Sequence, residues 1–341
     1  MLKAPKFWDN NSGRYALLSS PLCFLYQMVG RIRWKLAKPY CASIPVICVG
    51  NVTMGGAGKT PFVILLVEIL KSHGKNPCII SRGYGGKLRT NIIVTERHSA
   101  LEVGDEPKLL SQYAACIIGA GRKKSAKMAE NINADIIIMD DGLQNPSLRK
   151  DLCFLVIDGG YGFGNGSIFP AGALREKIVT AFLKVQACVL IGKDETAILH
   201  QLPRNLPLIR AYMELNYPPK SSPKSVEQKV LAQKMLAQKI IGFCGIARPK
   251  KFYDSLRQAG FKICATRDFP DHHYFSEHEL QQLHDDAQKH DAILVTTQKD
   301  YMRLSTEWQQ KVTAIPAKLV TQNMELLTEL LYQHNIMSKV L

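Results

Sequence analysis

An apolar run, Ile44–Val49, passes into Gly50-Asn-Val-Thr-Met-Gly-Gly-Ala-Gly-Lys-Thr-Pro61 and then into a second apolar run, Phe62–Leu70. Strand, glycine-rich loop and helix, in that order, make a cradle for an anionic phosphate. Gly55, Gly56 and Gly58 let backbone N–H groups converge on the anion, and the helix N-terminus adds partial positive charge. In such a loop Lys59 reaches the β/γ-phosphates and the Thr60 hydroxyl binds Mg²⁺. The usual spacing places a glycine five residues before Gly58, where this chain has Thr53. An ordinary glycine-rich turn is the plain alternative. The placement of Gly-Lys-Thr where strand gives way to helix favours the phosphate site.

A phosphate loop of this kind demands a sheet with helices against it. The chain supplies one, since apolar β-branched runs alternate with helical patterns, as in an α/β protein. Strands are expected at Asn76–Ser81, Asn91–Thr95, Cys116–Gly119, Ile136–Met139, Leu152–Ile157 and Ala187–Gly192. Hydrophobic residues make up 46% of the chain and charged ones 21%, enough for packed cores and unlike a disordered chain. A length of 341 residues suggests two domains.

Residues 216–239 read as the boundary, with Pro218, Pro219, Pro223, Ser221 and Ser222 before a Lys-rich stretch, Lys229–Lys239. The lysines there recur at five-residue spacing and wind around a helix, the mark of a solvated face. A second unit follows, with strands Lys239–Cys244, Phe261–Ala265, Ala292–Thr296 and 318–320. Its helices are expected at Lys250–Ala259, Ser276–His290 and 323–333. Ser276 and Glu279 form a capping box. The chain therefore divides into an N-terminal segment 1–40, a phosphate-loop domain 41–217, a linker 218–239 and a smaller α/β domain 240–341. The fold class is a P-loop α/β/α sandwich with a second, smaller α/β domain and an N-terminal membrane-associated helix.

The net charge of +15 suits a phosphorylated substrate, anionic lipid or nucleic acid, and does not choose among them. The basic residues are spread out and no nucleic-acid recognition motif appears, so no nucleic-acid partner is expected. Nine cysteines occur without metal-ligand spacing, and most lie in apolar runs, as buried free thiols do. Residues 15–30 carry no charge, and Arg31, Arg33, Lys35 and Lys38 follow. The stretch is shorter than the ~20 apolar residues a spanning helix needs. Leu18, Leu22, Leu25, Tyr26 and Val29 follow helical spacing, which fits either a helix lying in a membrane interface or one packed on the domain.

Three acidic positions stand out. Asp140 and Asp141 end a buried strand, where a chain with a phosphate loop places its Mg²⁺ carboxylates. Asp105 lies at the start of a helix, as a dipole partner or as a catalytic group. His272 and His273 sit in a polar, aromatic loop between strand and helix. No serine or cysteine nucleophile setting is present. A carboxylate coupled to an imidazole would supply the proton acceptor a kinase needs.

These segments together resemble the tetraacyldisaccharide 4'-kinase (lipid A 4'-kinase) family. The matching motifs are Val49–Pro61, Ser81–Gly85, Gly104–Pro107, Asp140–Gln144, Pro170–Glu176, Phe243–Pro249, Phe269–Tyr274 and Lys299-Asp300, in order along nearly the whole chain. The resemblance implies transfer of the ATP γ-phosphate to the 4'-hydroxyl of an acylated glucosamine disaccharide 1-phosphate lipid, giving lipid IVA. It implies a monomeric, monotopic enzyme at the cytoplasmic face of the inner membrane, using ATP and Mg²⁺. It tips the N-terminal helix towards membrane contact.

Carried over by position, Lys59 is catalytic, and Thr53, Met54, Gly55, Gly56, Ala57, Gly58, Lys59 and Thr60 hold the nucleotide. Thr60, Asp140 and Asp141 hold the metal. Asp105 is the base and His272 the histidine that activates it. Arg122, Gln144, Arg175 and Glu176 fall on nucleotide or active-site contacts. Asn145 stands where the family often has His, and Gln298 where it commonly has Glu. Membrane-associated ATPases of the partitioning type share the Gly-Gly-x-Gly-Lys-Thr loop, but they carry a signature Lys where this chain has Met54.

Overall fold

The computed structural model describes residues 5–8, 13–215 and 237–338. Most of the expected linker, with the first part of its Lys-rich stretch, lies outside the described residues. The strands are β1 (Val46–Gly50), β2 (Pro77–Ser81), β3 (Ile92–Ile93), β4 (Ala115–Ile118), β5 (Ile136–Asp140), β6 (Leu152–Asp158), β7 (Ala187–Ile191) and β8 (Leu208–Leu215). They continue as β9 (Lys239–Cys244), β10 (Lys262–Asp268), β11 (Ala292–Thr297), β12 (Val312–Ile315) and β13 (Ala317–Thr321). A nine-stranded sheet runs in the order β13-β8-β7-β6-β1-β5-β2-β4-β3, and a four-stranded sheet in the order β10-β9-β11-β12.

Seven strands of the large sheet run parallel, and only β3 and β13 pair antiparallel at its edges. Its central strands are buried along their whole length, as their unbroken apolar runs require. Helices cover both faces. On one, the helix Lys59–Ser72 buries Phe62, Leu66 and Leu70 at four-residue intervals; full burial of each such side chain contributes about 1.5–3 kcal/mol. On the other, the helix Arg122–Asn131 buries Ala126 and Ala129.

The small sheet is parallel throughout. Ser276 caps the helix Glu277–Lys289 through the expected capping box with Glu279. All nine cysteines are free.

The expected extent of the second unit needs correction. The segment after β12 returns to the large sheet, where β13 pairs with β8 from Ala317↔Leu215 to Thr321↔Ala211. The helix Met324–Gln333 then buries Leu327, Leu330 and Leu331 in the same core as Phe62 and Leu66. The sequence reading also passes over β8, β12 and the helix Thr306–Lys311. β8 alternates buried and exposed residues, so it carries no long apolar run, and its edge is closed by a strand about one hundred residues away. Non-local pairing of this kind leaves no local signal.

The helix Gly13–Leu36 contains Pro21 and is not long and apolar enough to cross a membrane; nor is any other described helix. One side touches the domain. Cys23 Sγ donates to the Ile168 carbonyl, the Tyr26 ring meets Phe169 edge-on, and Lys184 lies 4.3 Å from the Trp34 ring centre. Leu22, Phe24, Leu25, Val29, Ile32 and Leu36 are all exposed, Leu36 by 75%.

Candidate active site

The phosphate loop leaves the carboxyl end of β1, between β5 and β6. A ligand crevice forms at such a position in a parallel sheet. Gly58, the residue before the helix, has φ +87°, and a Cβ there would lie 2.6 Å from Ile191 Cδ1, so only glycine fits. The helix start carries no side-chain cap, which leaves its first N–H groups for an anion. Thr53 is buried and bridges Leu174, Met54 N donates to the Ala173 carbonyl, and Arg175 N donates to the Val52 carbonyl. The Pro170–Glu176 segment is therefore laced to the start of the loop. Gly55 and Gly56 face outward, Ala57 is buried, and Thr60 sits in the first helical turn.

Lys59 Nζ donates to Asn51 Oδ1 at 3.1 Å and lies 3.5 Å from Asp141. Arg175 Nη1 donates to both Asp141 oxygens, at 2.7 and 2.9 Å. Burial raises the Asp141 carboxyl, but Lys59 and Arg175 outweigh it and hold the group well below its usual range. Gln144 Nε2 donates to the Asn51 carbonyl and to Glu176, and Glu176 pairs with Lys184. Lys59, Asp141, Gln144, Arg175 and Glu176 thus form one network, as the motifs implied. Asn51, which anchors both Lys59 and Gln144, was not singled out beforehand; its place between the strand end and the loop was the available signal.

Asp140 differs from Asp141. It is 2% exposed and its Oδ1 has no hydrogen-bond partner among the described residues. Burial, then the charge of Glu106, pushes its carboxyl up to about 7. Arg122 is also buried, with Nε and Nη2 lacking described partners; burial brings it down to about 10 while Asp140 pulls the other way. A buried carboxylate oxygen without a donor, beside a second carboxylate and a phosphate loop, fits a hard cation, since Mg²⁺ takes one or two carboxylates together with phosphate oxygens.

The second cluster crosses the domains. β9, β10 and β11 end at the cleft, and the segments that follow them supply Gly245–Pro249, His272 and Lys299. His272 Nδ1 lies 2.9 Å from Asp105 Oδ2, and Lys299 Nζ lies 3.2 Å from His272 Nε2. A carboxylate only accepts and an ammonium only donates, so Nδ1 carries the proton and Nε2 is the acceptor. His272 adopts φ +59°, a strained conformation for a residue with a side chain, worth about 1–3 kcal/mol. Its N–H donates to the Gly245 carbonyl.

Asp105 is 2% exposed. Burial raises its carboxyl, but the His272 hydrogen bond, Lys299 and Arg303 together bring it down to about 2. Lys299 also pairs with Glu106 at 3.1 Å, and the surrounding carboxylates overcome burial to raise it to about 12. Glu106 senses Lys59 as well, which links the two clusters electrostatically.

A third contact seats the second domain. Asp158, at the end of β6, pairs with Arg248 at 2.7 Å and Lys251 at 2.6 Å, and the Arg248 guanidinium lies over the Tyr161 ring. A Cβ on Gly56 would lie 3.7 Å from that of Ala247, so the Gly245–Pro249 turn lies against the phosphate loop.

Comparison with known proteins bears on this arrangement. The sequence model of the tetraacyldisaccharide-1-P 4'-kinase family matches residues 15–335. A tetraacyldisaccharide 4'-kinase of Gluconacetobacter diazotrophicus is 39% identical over 320 residues, covering 93% of this chain and 94% of its own. One from Methylobacterium nodulans is 41% identical over 324 residues, covering 93% and 91%. A crystal structure of LpxK from Aquifex aeolicus in complex with ATP superposes with a TM-score of 0.74 at 27% identity, covering 94% of this chain and 99% of that one.

Proposed function

The chain belongs to the tetraacyldisaccharide-1-P 4'-kinase family, and on that premise we propose that it transfers the γ-phosphate of ATP to the 4'-hydroxyl of a tetraacyl glucosamine disaccharide 1-phosphate. The product is lipid IVA, on the route to lipid A. The observation that carries the reading is the placement of Asp105 and His272, 167 residues apart, in one hydrogen-bonded pair whose neighbouring turn, Gly245–Pro249, lies against the phosphate loop.

In this reading the loop N–H groups and Lys59 hold the β- and γ-phosphates. Thr60, Asp140 and Asp141 would hold Mg²⁺, which would supply charge neutralisation for the phosphates. Arg175 keeps Asp141 oriented, and Gln144 and Glu176 brace the base of the loop through Asn51. The bond between the 4'-oxygen and Pγ forms as the bond from Pγ to the β–γ bridging oxygen breaks, and ADP leaves. The hydroxyl proton passes to the Asp105–His272 pair. Asp105 at about 2 is ionised at neutral pH, so it is an acceptor rather than a strong base. A loose transition state, in which the hydroxyl loses its proton late, asks little more.

The exposed apolar side of the helix Gly13–Leu36, with Arg31, Arg33 and Lys35 in its last turns and Lys38 just beyond, docks the enzyme on the inner membrane's cytoplasmic face, where an acylated substrate resides. γ-labelled ATP and the purified disaccharide monophosphate in detergent should give labelled lipid; ATP hydrolysis with no labelled lipid would overturn the reading. Removing residues 1–38 should shift the protein from membranes to the soluble fraction, and unchanged partition would show that another surface docks.

A further inference from the structure

The Thr297-Gln-Lys-Asp300 motif and the arginine three residues beyond it are only partly used by the reaction as described. Arg303 has a fully buried side chain, 0% exposed. A buried cation persists only where it is paired and hydrogen-bonded. Nη1 donates to the His273 carbonyl at 2.6 Å, and Nη2 donates to the Gly245 carbonyl at 3.1 Å and pairs with Asp300 Oδ1 at 2.7 Å. Nε lies 3.2 Å from Asp105 Oδ2, an ion-pair contact without hydrogen-bond geometry that crosses to the other domain. Asp300, equally buried, accepts from Gly245 N and from the Thr297 hydroxyl. A Cβ on Gly245 would lie 2.9 Å from the Pro270 carbonyl and 3.2 Å from Arg303 Nη1.

The guanidinium therefore bears on both halves of the pair, by a hydrogen bond beside His272 and by charge at Asp105. It grips the backbone next to His272 through the His273 carbonyl, and it faces the Asp105 carboxylate through Nε. Asp300 and Gly245 hold it rigid from within the second domain. The fork geometry matters, because a lysine would carry the charge without reaching four separate oxygens.

We propose that Arg303 is a positioning residue for phosphoryl transfer, fixing Asp105 against His272 as the second domain seats on the first. The proposal rests on the reading of Asp105 and His272 as the proton-accepting pair. With its side chain wholly buried, Arg303 acts through Asp105 rather than on a bound substrate.

The test is a double-mutant cycle. Arg303→Lys and Arg303→Met are each made in the native chain and in Asp105→Asn, with kcat and KM for ATP measured on every form. Arg303→Lys should lower kcat about 10-fold and Arg303→Met about 100-fold, with KM for ATP within about threefold, because the phosphate loop is built separately. In the Asp105→Asn background neither change should lower kcat further. If Arg303→Met does not fold, Arg303→Lys, which keeps the charge, carries the cycle. Losses that multiply with that of Asp105→Asn, or an unchanged kcat in the Arg303 variants, would overturn the proposal. Near-native kcat in Asp105→Asn alone would instead overturn the underlying reading of the pair.

Discussion

The phosphate side and the proton-accepting side of this cleft are built in opposite ways. Lys59, Asn51, Asp140, Asp141, Gln144 and Arg175 all lie on one sheet or on the segments leaving its strands. Their hydrogen bonds to one another draw on no residue of the second domain. The pair is split: Asp105 comes from the large domain, while His272, Lys299 and Arg303 come from the small one. Its geometry exists only when the domains meet. On the proposed reading the first region should bind nucleotide without residues of the second domain, whereas the second region makes chemistry conditional on docking.

Kinetics should separate the two. Lys59→Ala removes a charge on the transferring phosphate and frees Asn51 and Asp141 from their shared cation. It should cost about 10³-fold in kcat/KM and weaken ATP binding as well. Asp105→Asn keeps the shape and removes the acceptor. It should cost about 10²-fold in kcat and leave ATP affinity within about threefold. Measured ATP affinity is the discriminator. Equal loss of affinity in both variants would dissolve the distinction between the regions.

The same division explains what was legible in the sequence. Phosphate-site residues sit in short motifs at strand ends, so Gly58-Lys-Thr60 and Asp140-Asp141 point to their chemistry unaided. The capping box at Ser276 is local too, and it appears as expected. Asp105 with one of His272 and His273 could be suspected as a pair, but only if the domains meet, and it was the resemblance that chose His272. Arg303 had no signal, since an isolated arginine three residues past a motif reads as surface charge until burial is known. β8 was hidden, and the strand expected at 318–320 was placed in the wrong sheet, for the same reason: the two are joined across about one hundred residues by edge pairing that no local pattern encodes.

Charge balance provides a finer contrast, with opposite signs in the two regions. Asp105 is held at about 2, below the ordinary value near 4, so its contribution to stability is complete above pH ~4 and fades as pH falls through about 2. Asp140 is pushed up to about 7, so its contribution is complete below pH ~4 and is lost as pH rises through about 7. Between pH 5 and 8 Asp105 stays ionised and its contribution is constant, while the phosphate side loses stability because the buried Asp140 carboxyl ionises with its Oδ1 unpartnered. A divalent cation at Asp140 reverses that loss. Without metal, Asp140→Asn should raise Tm at pH 8 by a few degrees, at about 2–4 °C per kcal/mol recovered, and change it little at pH 5. Mg²⁺ should raise the native Tm at pH 8 more than at pH 5, and this gain should vanish in Asp140→Asn. An equal Mg²⁺ gain in native and variant protein would place the cation elsewhere and leave the unpartnered Oδ1 without this explanation.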